Sequence, residues 1–427
     1  MKLVIDSRLG LSYVLITFSK TAGPKTVSNS LGQHEANGLI YLDHHATTPI
    51  DPVALKVLKD CYEEVYANPG STTHEAGRQA AERVDVALTS LAQNLGAKAE
   101  ELVITSGATE SNNLAILGYC LHPKQKKRKV VSLVTEHKAV LDPLSRLTRL
   151  GFEVELLPVR TQGSEAVGQV DLDRLAVAIT DDTALVSVML ANNEIGVIQP
   201  VEQIAQLCDQ ANVAFHVDAA QAVGRIPVDV GKLGCDLLSF SCHKFYGPKG
   251  IGGLIVCNKR KRIRLQPQIV GGGQQMGLRS GTMNAPGIIA SAVALEETLA
   301  DLHKDPQRIG GLRDLLFAQL NERLPSIEIN GPGLNATRLQ GNLNCSFFPL
   351  EGQSLMLEVP EVAVSSGSAC TSAEQTTSHV LKAIGLTEEQ ARSSIRFGVG
   401  RFTTKSDVVR AAEFLSAAAD KLLRLYR

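Results

Sequence analysis

Short β-rich runs alternate with segments of helical periodicity from about residue 100 onward, and this alternation constrains the fold more than any other feature. It predicts an α/β fold with right-handed crossovers and a mostly parallel sheet. Ligands bind at the carboxyl ends of the strands in such sheets, so polar residues just after the runs are the first candidates for a site. The runs are residues 101–105, 130–135, 152–159, 183–190, 214–217, 237–240 and 253–256.

The pattern changes after about residue 300. Long helical segments at 306–324 and 405–425 accompany short β-rich runs near 343–347 and 394–397. This mixture predicts a second, smaller α+β domain.

Two helices are predicted upstream of the alternating region. Asp51 is the expected cap of a helix over residues 52–66, and a longer amphipathic helix over 75–95 is expected to end at Gly96. Aspartate is favoured at helix N-caps, and glycine is favoured just after the end of a helix.

Composition argues against several classes of protein. The 43 Lys+Arg nearly balance the 44 Asp+Glu, and aromatic residues make up 4% with no Trp, so nucleic acid is not expected as a partner. The most apolar early stretch, residues 9–18, is far shorter than the roughly 20 residues of a membrane-spanning helix. No metal is expected, because histidines and cysteines lack zinc-like spacing. The eight cysteines include no CxxC pair, which favours a reducing compartment and hence the cytoplasm.

The densest group of reactive side chains lies in residues 239–250, directly after an apolar run. Lys244 stands there at the predicted carboxyl edge of the sheet, where burial can lower the pKa of its amine enough for Schiff-base formation. A lone lysine is more often simply solvated. Its neighbours Ser241 and His243 can both bind phosphate, which favours the functional interpretation.

Two further segments place polar residues at equivalent positions. Asp218 ends an apolar run and is followed by Gln221. Its carboxylate can stabilise a protonated ring nitrogen, as pyridoxal phosphate requires, or simply cap a helix. Residues 105–113 predict a strand, a small-residue turn and a helix start, which suits either a phosphate site or an ordinary capping box. Neither segment alone decides between a cofactor-binding role and helix capping.

Cys370 differs from most other cysteines because small polar residues surround it in residues 364–372. That setting predicts an exposed, mobile loop whose thiolate can reach a ligand and leave again. A nearby base or cation would be needed, since a free cysteine is only a few per cent thiolate near pH 7. The cysteines in apolar patterns, predicted to be core residues, are Cys120, Cys208, Cys235, Cys257 and Cys345.

Taken in order, these segments resemble the cysteine desulfurases of the NifS/IscS class, pyridoxal-phosphate enzymes of the aspartate aminotransferase-like fold type I among the class-V aminotransferases. The resemblance covers about residues 41–404 and is specific because several long motifs occur in the right order. The motifs are Tyr-Leu-Asp-His-His-Ala-Thr-Thr-Pro at 41–49, residues 105–113, Thr-Glu-His-Lys-Ala-Val at 135–140, Ala-Asn-Asn-Glu-Ile-Gly at 191–196, His-Val-Asp at 216–218, Ser-Cys-His-Lys at 241–244, Arg-Ser-Gly-Thr at 279–282, residues 365–372 and Ser-Ile-Arg-Phe at 394–397.

The resemblance implies a large domain with a mostly parallel seven-stranded sheet and a smaller α+β domain. Residues 41–60 are expected to form the N-terminal part of the small domain, and 61–300 the large cofactor-binding domain. Residues 301–427 are expected to form the C-terminal small domain with the Cys370 loop, while residues 1–40 are left as an unassigned N-terminal arm. The implied active unit is a homodimer.

The resemblance also implies a role for each candidate residue. Lys244 would hold the cofactor covalently, His137 would stack on its ring and shuttle protons, and Cys370 would attack the substrate sulfur. Arg396 and Asn193 would bind the substrate, with Arg396 clamping its carboxylate. The residues implied to bind the cofactor are Ala108, Thr109, Asn193, Asp218, Gln221, Ser241, His243, Lys244 and, from the neighbouring subunit, Thr282.

The implied reaction converts L-cysteine to L-alanine and leaves the sulfur as a persulfide on Cys370. An acceptor protein would then take the sulfur for iron–sulfur cluster assembly, or for thio-cofactor synthesis or tRNA thiolation. The alternative is a selenocysteine lyase or another pyridoxal-phosphate lyase of fold type I, which would use the same Lys244 and Asp218.

Overall fold

The computed structural model describes residues 38–257, 261–366 and 377–425. Each of the seven β-rich runs of the alternating region forms a strand, and helices lie between most of them. The strands are β1 (Ile40–Tyr41), β2 (Leu102–Thr105), β3 (Lys129–Leu133), β4 (Glu153–Leu157), β5 (Thr183–Met189), β6 (Ala214–Asp218), β7 (Leu237–Ser241), β8 (Gly252–Val256), β9 (Glu328–Ile329), β10 (Asn342–Ser346), β11 (Val362–Ala363) and β12 (Ser394–Gly398). The α-helices are α1 (Pro52–Glu64), α2 (Glu75–Gln93), α3 (Ala108–Cys120), α4 (Lys138–Arg149), α5 (Leu172–Ala178), α6 (Val201–Gln210), α7 (Val230–Leu233), α8 (Ala285–Ala300), α9 (Asp305–Arg323), α10 (Gly352–Glu358), α11 (His379–Ala383), α12 (Glu388–Arg392) and α13 (Lys405–Leu425).

The central sheet has seven strands in the order β2-β8-β7-β6-β5-β3-β4. The strands from β4 to β7 in that order are parallel, and only β8 runs antiparallel to its neighbours β2 and β7. From β5 the chain proceeds to β6 and β7 on one side, whereas β3 and β4 lie on the other. The carboxyl ends of β3 and β5 therefore flank a topological switch point, where open α/β sheets bind ligands.

The sequence-predicted helix ends agree with the observed caps. The Asp51 side chain accepts hydrogen bonds from the backbone N–H groups of Val53 and Ala54, so Asp51 caps α1. Gly96 follows α2 with φ +74°, a left-handed conformation that favours glycine. Capping at α1 and helix termination near Gly96 are thus confirmed.

A separate apolar cluster packs β1, α9, β10, β12 and α13 together. Leu316 of α9, Leu343 of β10, Phe397 of β12 and Leu415 of α13 are buried in it. The strands β9, β10 and β12 form an antiparallel sheet, and β1 pairs in parallel with β11. The predicted α+β character of the later part of the chain is confirmed, whereas the boundary near residue 300 stays a prediction.

A polar bridge lies in the interior of the central sheet. His216 on β6 is fully buried and lies between two serine hydroxyls: its Nδ1 is 2.8 Å from Ser187 Oγ on β5, and its Nε2 is 2.9 Å from Ser239 Oγ on β7. Because side chains alternate along a strand, His216 shares a face of the sheet with Asp218, two residues further along β6.

Two sequence-based expectations can be compared directly with the described residues. The cysteines predicted to be core residues are all buried. Within the described ranges, no helix is both long enough and apolar enough to cross a membrane.

Candidate active site

The carboxyl edge of the central sheet brings together residues from several connections. Asp218 ends β6, while Ser241 ends β7 and passes into a 3₁₀ turn over Cys242–Lys244. His137 follows β3 just before α4. Residues that are far apart in sequence thus meet where the strand order predicts a ligand.

The Lys244 amine contacts a segment to which sequence reasoning gave no role. Its Nζ donates hydrogen bonds to the backbone carbonyls of His45, at 2.6 Å, and Ala46, at 2.7 Å. Thr48 closes the same segment onto the lysine turn, because its Oγ1 donates to the His243 carbonyl at 2.9 Å. The motif at residues 41–49 therefore supplies the backbone acceptors that hold the Lys244 amine in place.

Asp218 is a buried carboxylate, only 5% exposed, with a fixed orientation. Its Oδ2 accepts a hydrogen bond from Asn112 Nδ2 at 2.7 Å, and its Oδ1 accepts one from the Ala220 N–H at 2.9 Å. The bond from Ala220 resembles the cap that was considered as an alternative, yet it leaves lone pairs on the carboxylate for a cationic ring nitrogen. Sequence reasoning assigned Asn112 no role of its own, because it lies among the polar residues Ser111 and Asn113 at the start of α3.

His137 caps α4 with its ring. Its Nδ1 accepts a hydrogen bond from the Ala139 N–H at 3.0 Å. Burial, more than any other cause, lowers the pKa of His137, and the positive charge of Lys244 lowers it further, while the negative charge of Asp218 opposes the shift. His137 is therefore neutral near pH 7, and since its Nδ1 lone pair is occupied, its proton resides on Nε2. The influence of both Lys244 and Asp218 on this ring indicates that the three side chains share one region.

The N-terminus of α3 lies beside the lysine turn. Gly107, just before α3, has φ +148°, and a Cβ added there would stand 3.3 Å from Ser241 Oγ. The first N–H groups of a helix, here including those of Ala108 and Thr109, have no intrahelical acceptor and favour anions. Because Gly107 has no Cβ, no side chain from this position crowds Ser241 beside the helix start.

His243 extends this region. Its Nδ1 lies 3.0 Å from Thr47 Oγ1, and burial lowers the pKa of His243 to about 4, with help from the charge of Lys244. It is neutral near pH 7, so it can assist an anion through a hydrogen bond rather than through charge.

Gln221 belongs to a buried network that includes Arg225, a residue the sequence did not single out. Gln221 Nε2 donates to the His45 carbonyl at 2.9 Å, and Arg225 Nη1 donates to Gln221 Oε1 at 2.9 Å. Arg225 also contacts the His45 ring and the His44 carbonyl. This network holds residues 44–46, and with them the acceptors of the Lys244 amine.

Arg396 on β12 is 3% exposed and is held from two sides. Its Nη2 donates to Asp43 Oδ1 at 2.9 Å, and its Nη1 donates to the Asn193 carbonyl at 3.1 Å. Its Nε is buried without a hydrogen-bond partner among the described residues. The pKa of His45 is lowered chiefly by burial and further by the charges of Arg225, Arg396 and Lys244, so Arg396 lies in the same region as the lysine.

The arrangement fits pyridoxal phosphate. Lys244 supplies an amine, Asp218 a buried carboxylate, and the start of α3 a place for an anion, all at one edge of the sheet. Among the described residues no cluster of His, Cys, Asp or Glu has the geometry to hold a metal ion.

The candidate residues still to be placed are Asn193, Thr282 and Cys370. Asn193 contacts Arg396 through its backbone carbonyl. Thr282 is exposed on the connection before α8, and its role from a neighbouring subunit stays a prediction. Cys370 lies outside the described residues.

Several histidines near the site are kept neutral. Burial is the largest cause in each case: it lowers the pKa of His44 to about 4, that of His216 to about 3, and that of His45 well below its usual value. Two buried carboxyls behave in the opposite sense, since burial raises the pKa of Glu194 to about 7 and that of Glu136 well above its usual value.

We expect the free energy of unfolding to fall as the pH is lowered from about 6.5 to about 4. In that window the unfolded chain protonates histidines that the folded chain keeps neutral, at about 1.4 kcal/mol per pH unit for each net proton. Glu136 and Glu194 act oppositely, because they are already protonated when folded, but the histidines outnumber them. Urea unfolding at pH 7 and pH 5 measures the change. His216→Gln should make the dependence shallower and the exposed His303→Gln should not; equal slopes in all three proteins would contradict the prediction.

Comparison with known proteins agrees with the geometry. The model of the aminotransferase class-V family matches residues 40–410. The mitochondrial cysteine desulfurase of Arabidopsis thaliana is 47% identical over 383 residues, which cover 90% of this chain and 83% of that protein. The cysteine desulfurase IscS of Glaesserella parasuis is 47% identical over 388 residues, covering 90% of this chain and 94% of that protein. A solved structure of a NifS-like protein has a TM-score of 0.81 at 34% identity, and the match covers 90% of this chain and 99% of that one.

The fold and the site thus define a pyridoxal-phosphate enzyme of fold type I, and the chain belongs to the class-V aminotransferase family. The resemblance, the fold class and the cofactor inferred from the sequence are confirmed. Within the family, the chain is one of the cysteine desulfurases.

Proposed function

We propose that this protein converts L-cysteine to L-alanine and transfers the sulfur through Cys370 to an acceptor protein. The observation that carries the proposal is the buried Arg396, fixed by Asp43 and the Asn193 carbonyl in the region of the Lys244 amine. A guanidinium in that place suits the α-carboxylate of an amino acid. An amine and a carboxylate clamp at one site are what a cofactor-dependent amino-acid enzyme requires.

The residues that would hold the cofactor follow from the site. Asp218 pairs with the ring nitrogen, while Thr109, Ser241, His243 and the N–H groups at the start of α3 bind the phosphate. When bound, pyridoxal phosphate withdraws electrons from the α-carbon of the substrate. Gln221 and Asn193 are proposed to face the ring, and Thr282 to reach the phosphate from the second subunit of a homodimer.

The proton steps can be divided between two side chains. The Lys244 amine is the group able to take the α-proton, because the Nδ1 lone pair of His137 is already used by the Ala139 N–H. His137 Nε2 carries a proton and so can donate it. This division narrows the role that the resemblance implied for His137, which was to shuttle protons, to that of a proton donor.

The sulfur step is a transfer between two thiols. The Cys370 thiol and L-cysteine yield L-alanine and a persulfide on Cys370: the carbon–sulfur bond of the substrate breaks, and a sulfur–sulfur bond forms. The persulfide then passes to an acceptor protein for iron–sulfur cluster assembly or for thiolation. A reducing compartment such as the cytoplasm suits this chemistry, because it keeps Cys370 a thiol between turnovers.

The test incubates the purified holoenzyme with L-cysteine, with and without a reductant, and quantifies alanine and sulfide. Mass spectrometry then locates the persulfide. We expect stoichiometric alanine, sulfide release that depends on the reductant, and an added sulfur on Cys370. A cofactor-bearing protein that forms no alanine would overturn the proposal while leaving the family assignment intact.

A further inference from the structure

Two serines close to the ends of the segment that carries Cys370, one on each side of it, each donate a hydrogen bond to a carboxyl group near Arg396. On the N-terminal side, Ser365 Oγ donates to Asp43 Oδ2 at 2.7 Å. On the C-terminal side, Ser378 Oγ donates to Glu194 Oε2. Both serines are buried, so these bonds are protected from solvent.

The Asp43 contact joins the N-terminal flank directly to the arginine. Asp43 uses its two oxygens separately: Oδ1 accepts from Arg396 Nη2 and Oδ2 accepts from Ser365. Ser365 and Arg396 also exchange two backbone hydrogen bonds, of 2.7 and 3.3 Å. The position of Ser365 is therefore fixed to the same guanidinium that is proposed to hold the substrate carboxylate.

The Glu194 contact joins the C-terminal flank to the same region. Glu194 is 4% exposed. Burial raises the pKa of its carboxyl group, and the Ser378 hydrogen bond and the Arg396 charge partly oppose that shift. The backbone of Glu194 is locked on both sides, because its N–H donates to Asn192 Oδ1 and its carbonyl accepts from Asn342 and Asn344. Burying a carboxyl group costs free energy unless it is hydrogen-bonded or paired with a charge. Ser378 and Arg396 supply these two interactions to Glu194.

Ser378 links this contact to the following helix. Its Oγ also accepts a hydrogen bond from the Leu381 N–H at 3.1 Å and so caps α11. His379, the first residue of α11, is 2.9 Å from the Glu136 carbonyl through its Nε2. Glu136 directly precedes His137, so the start of α11 is fixed to the connection that carries the proton donor.

We propose that Asp43 and Glu194 are positioning residues that fix both flanks of the Cys370 segment relative to Arg396, and that they act through Ser365 and Ser378. The consequence is that sulfur transfer to Cys370, rather than binding of the amino acid, depends on these hydrogen bonds. The inference rests on the proposed function, since it assumes that Cys370 receives the sulfur. It concerns the sulfur step alone, because Arg396 keeps its own contacts when the serines are changed.

The test compares Ser365→Ala, Ser378→Ala and the double variant as holoenzymes. Two quantities are measured: the single-turnover rate of alanine formation from L-cysteine, and the affinity for L-alanine from the change in cofactor absorbance. L-alanine carries the carboxylate that Arg396 is proposed to bind but has no sulfur to transfer. We expect the double variant to slow alanine formation by about tenfold or more, which is the size of effect expected from losing two buried hydrogen bonds, while its affinity for L-alanine stays within about twofold.

Two controls separate positioning from a general loss of structure. Ser346→Ala removes a buried hydroxyl that donates to Asn330 Oδ1 at 3.0 Å, and Thr387→Ala removes the cap of α12, next to α11. Neither residue contacts Asp43 or Glu194, so both variants should keep the wild-type rate per bound cofactor. A variant too unstable to purify is replaced by Glu194→Leu, which removes the acceptor but leaves Ser378 to cap α11.

Other results would overturn the inference. An unchanged rate in the double variant would mean that the two bonds do not affect sulfur transfer. An equal loss of rate and of L-alanine affinity would mean that they only shape the carboxylate pocket. A wild-type protein that forms no alanine from L-cysteine would instead overturn the proposed function, and this inference with it.

Discussion

We expect the Lys244→Ala variant to lose alanine formation from L-cysteine by at least about 10³-fold. The Lys244 amine is proposed both to bind the cofactor covalently and to take the α-proton, and general-base catalysis alone contributes about 10² to 10⁴-fold. His137 is not placed to replace it, because its Nδ1 is committed to the Ala139 N–H. Single-turnover alanine formation measures the loss, and borohydride reduction followed by mass spectrometry shows whether the cofactor is still linked to the chain.

The control for this variant is Lys232→Ala. Lys232 is an exposed lysine in α7, away from the carboxyl edge of the sheet, so its loss should change the rate by less than about twofold. Thermal unfolding of both variants checks that the folded state is retained. A Lys244→Ala protein that still forms alanine at more than a tenth of the wild-type rate would refute the assignment of the base.

The second large effect is expected at Cys370. Replacing Cys370 by Ala should reduce alanine and sulfide formation from L-cysteine by about 10²-fold or more, because the acceptor of the sulfur atom is gone. Selenide release from L-selenocysteine should persist, since the selenium can leave without attack by a protein thiol. Parallel assays with the two substrates give the ratio that decides between the proposed function and a selenocysteine lyase.

Cys120→Ala is the matched control, because it removes a buried thiol at the end of α3, within the apolar cluster to which α3 contributes. It should lower stability and leave the ratio of cysteine to selenocysteine turnover unchanged. An unchanged rate with L-cysteine in Cys370→Ala would refute the persulfide route. Equal losses with both substrates would show that Cys370 supports the site in a way unrelated to sulfur.

Much of the fold could be predicted because its signals are local. The runs that became β2 to β8 are apolar and bounded by turns or helical segments, so each was visible in a window of a few residues. The helix ends at Asp51 and Gly96 follow from the chemistry of one residue each. By contrast, β1, β9 and β11 have only two residues each and exist through pairing with distant partners, which no local pattern can indicate.

The site was predictable in part for a related reason. Lys244, Asp218 and His137 follow strands, so strand order alone indicates that they converge. The side chains that hydrogen-bond to site residues could not be found in the same way, because they are distant in the sequence. Asn112 is 106 residues from Asp218, Asp43 is 353 residues from Arg396, and Glu194 is 184 residues from Ser378. Which nitrogen of His137 carries the proton likewise depends on a backbone contact that only the folded chain provides.

The buried His216 has a consequence for the precision of the site. Its ring joins β5, β6 and β7 through Ser187 and Ser239, and Asp218 and the lysine turn lie at the ends of two of those strands. Sliding β6 by one residue past β5 or β7 would break the His216 hydrogen bond to Ser187 or to Ser239. These side chains are fully buried, so bulk solvent could not replace the lost bond. The His216 ring therefore resists sliding of β6, which carries Asp218, against β7, which leads to Lys244. The spacing between the Asp218 carboxylate and the Lys244 amine is thus set by contacts in the interior of the sheet as well as by those in the site.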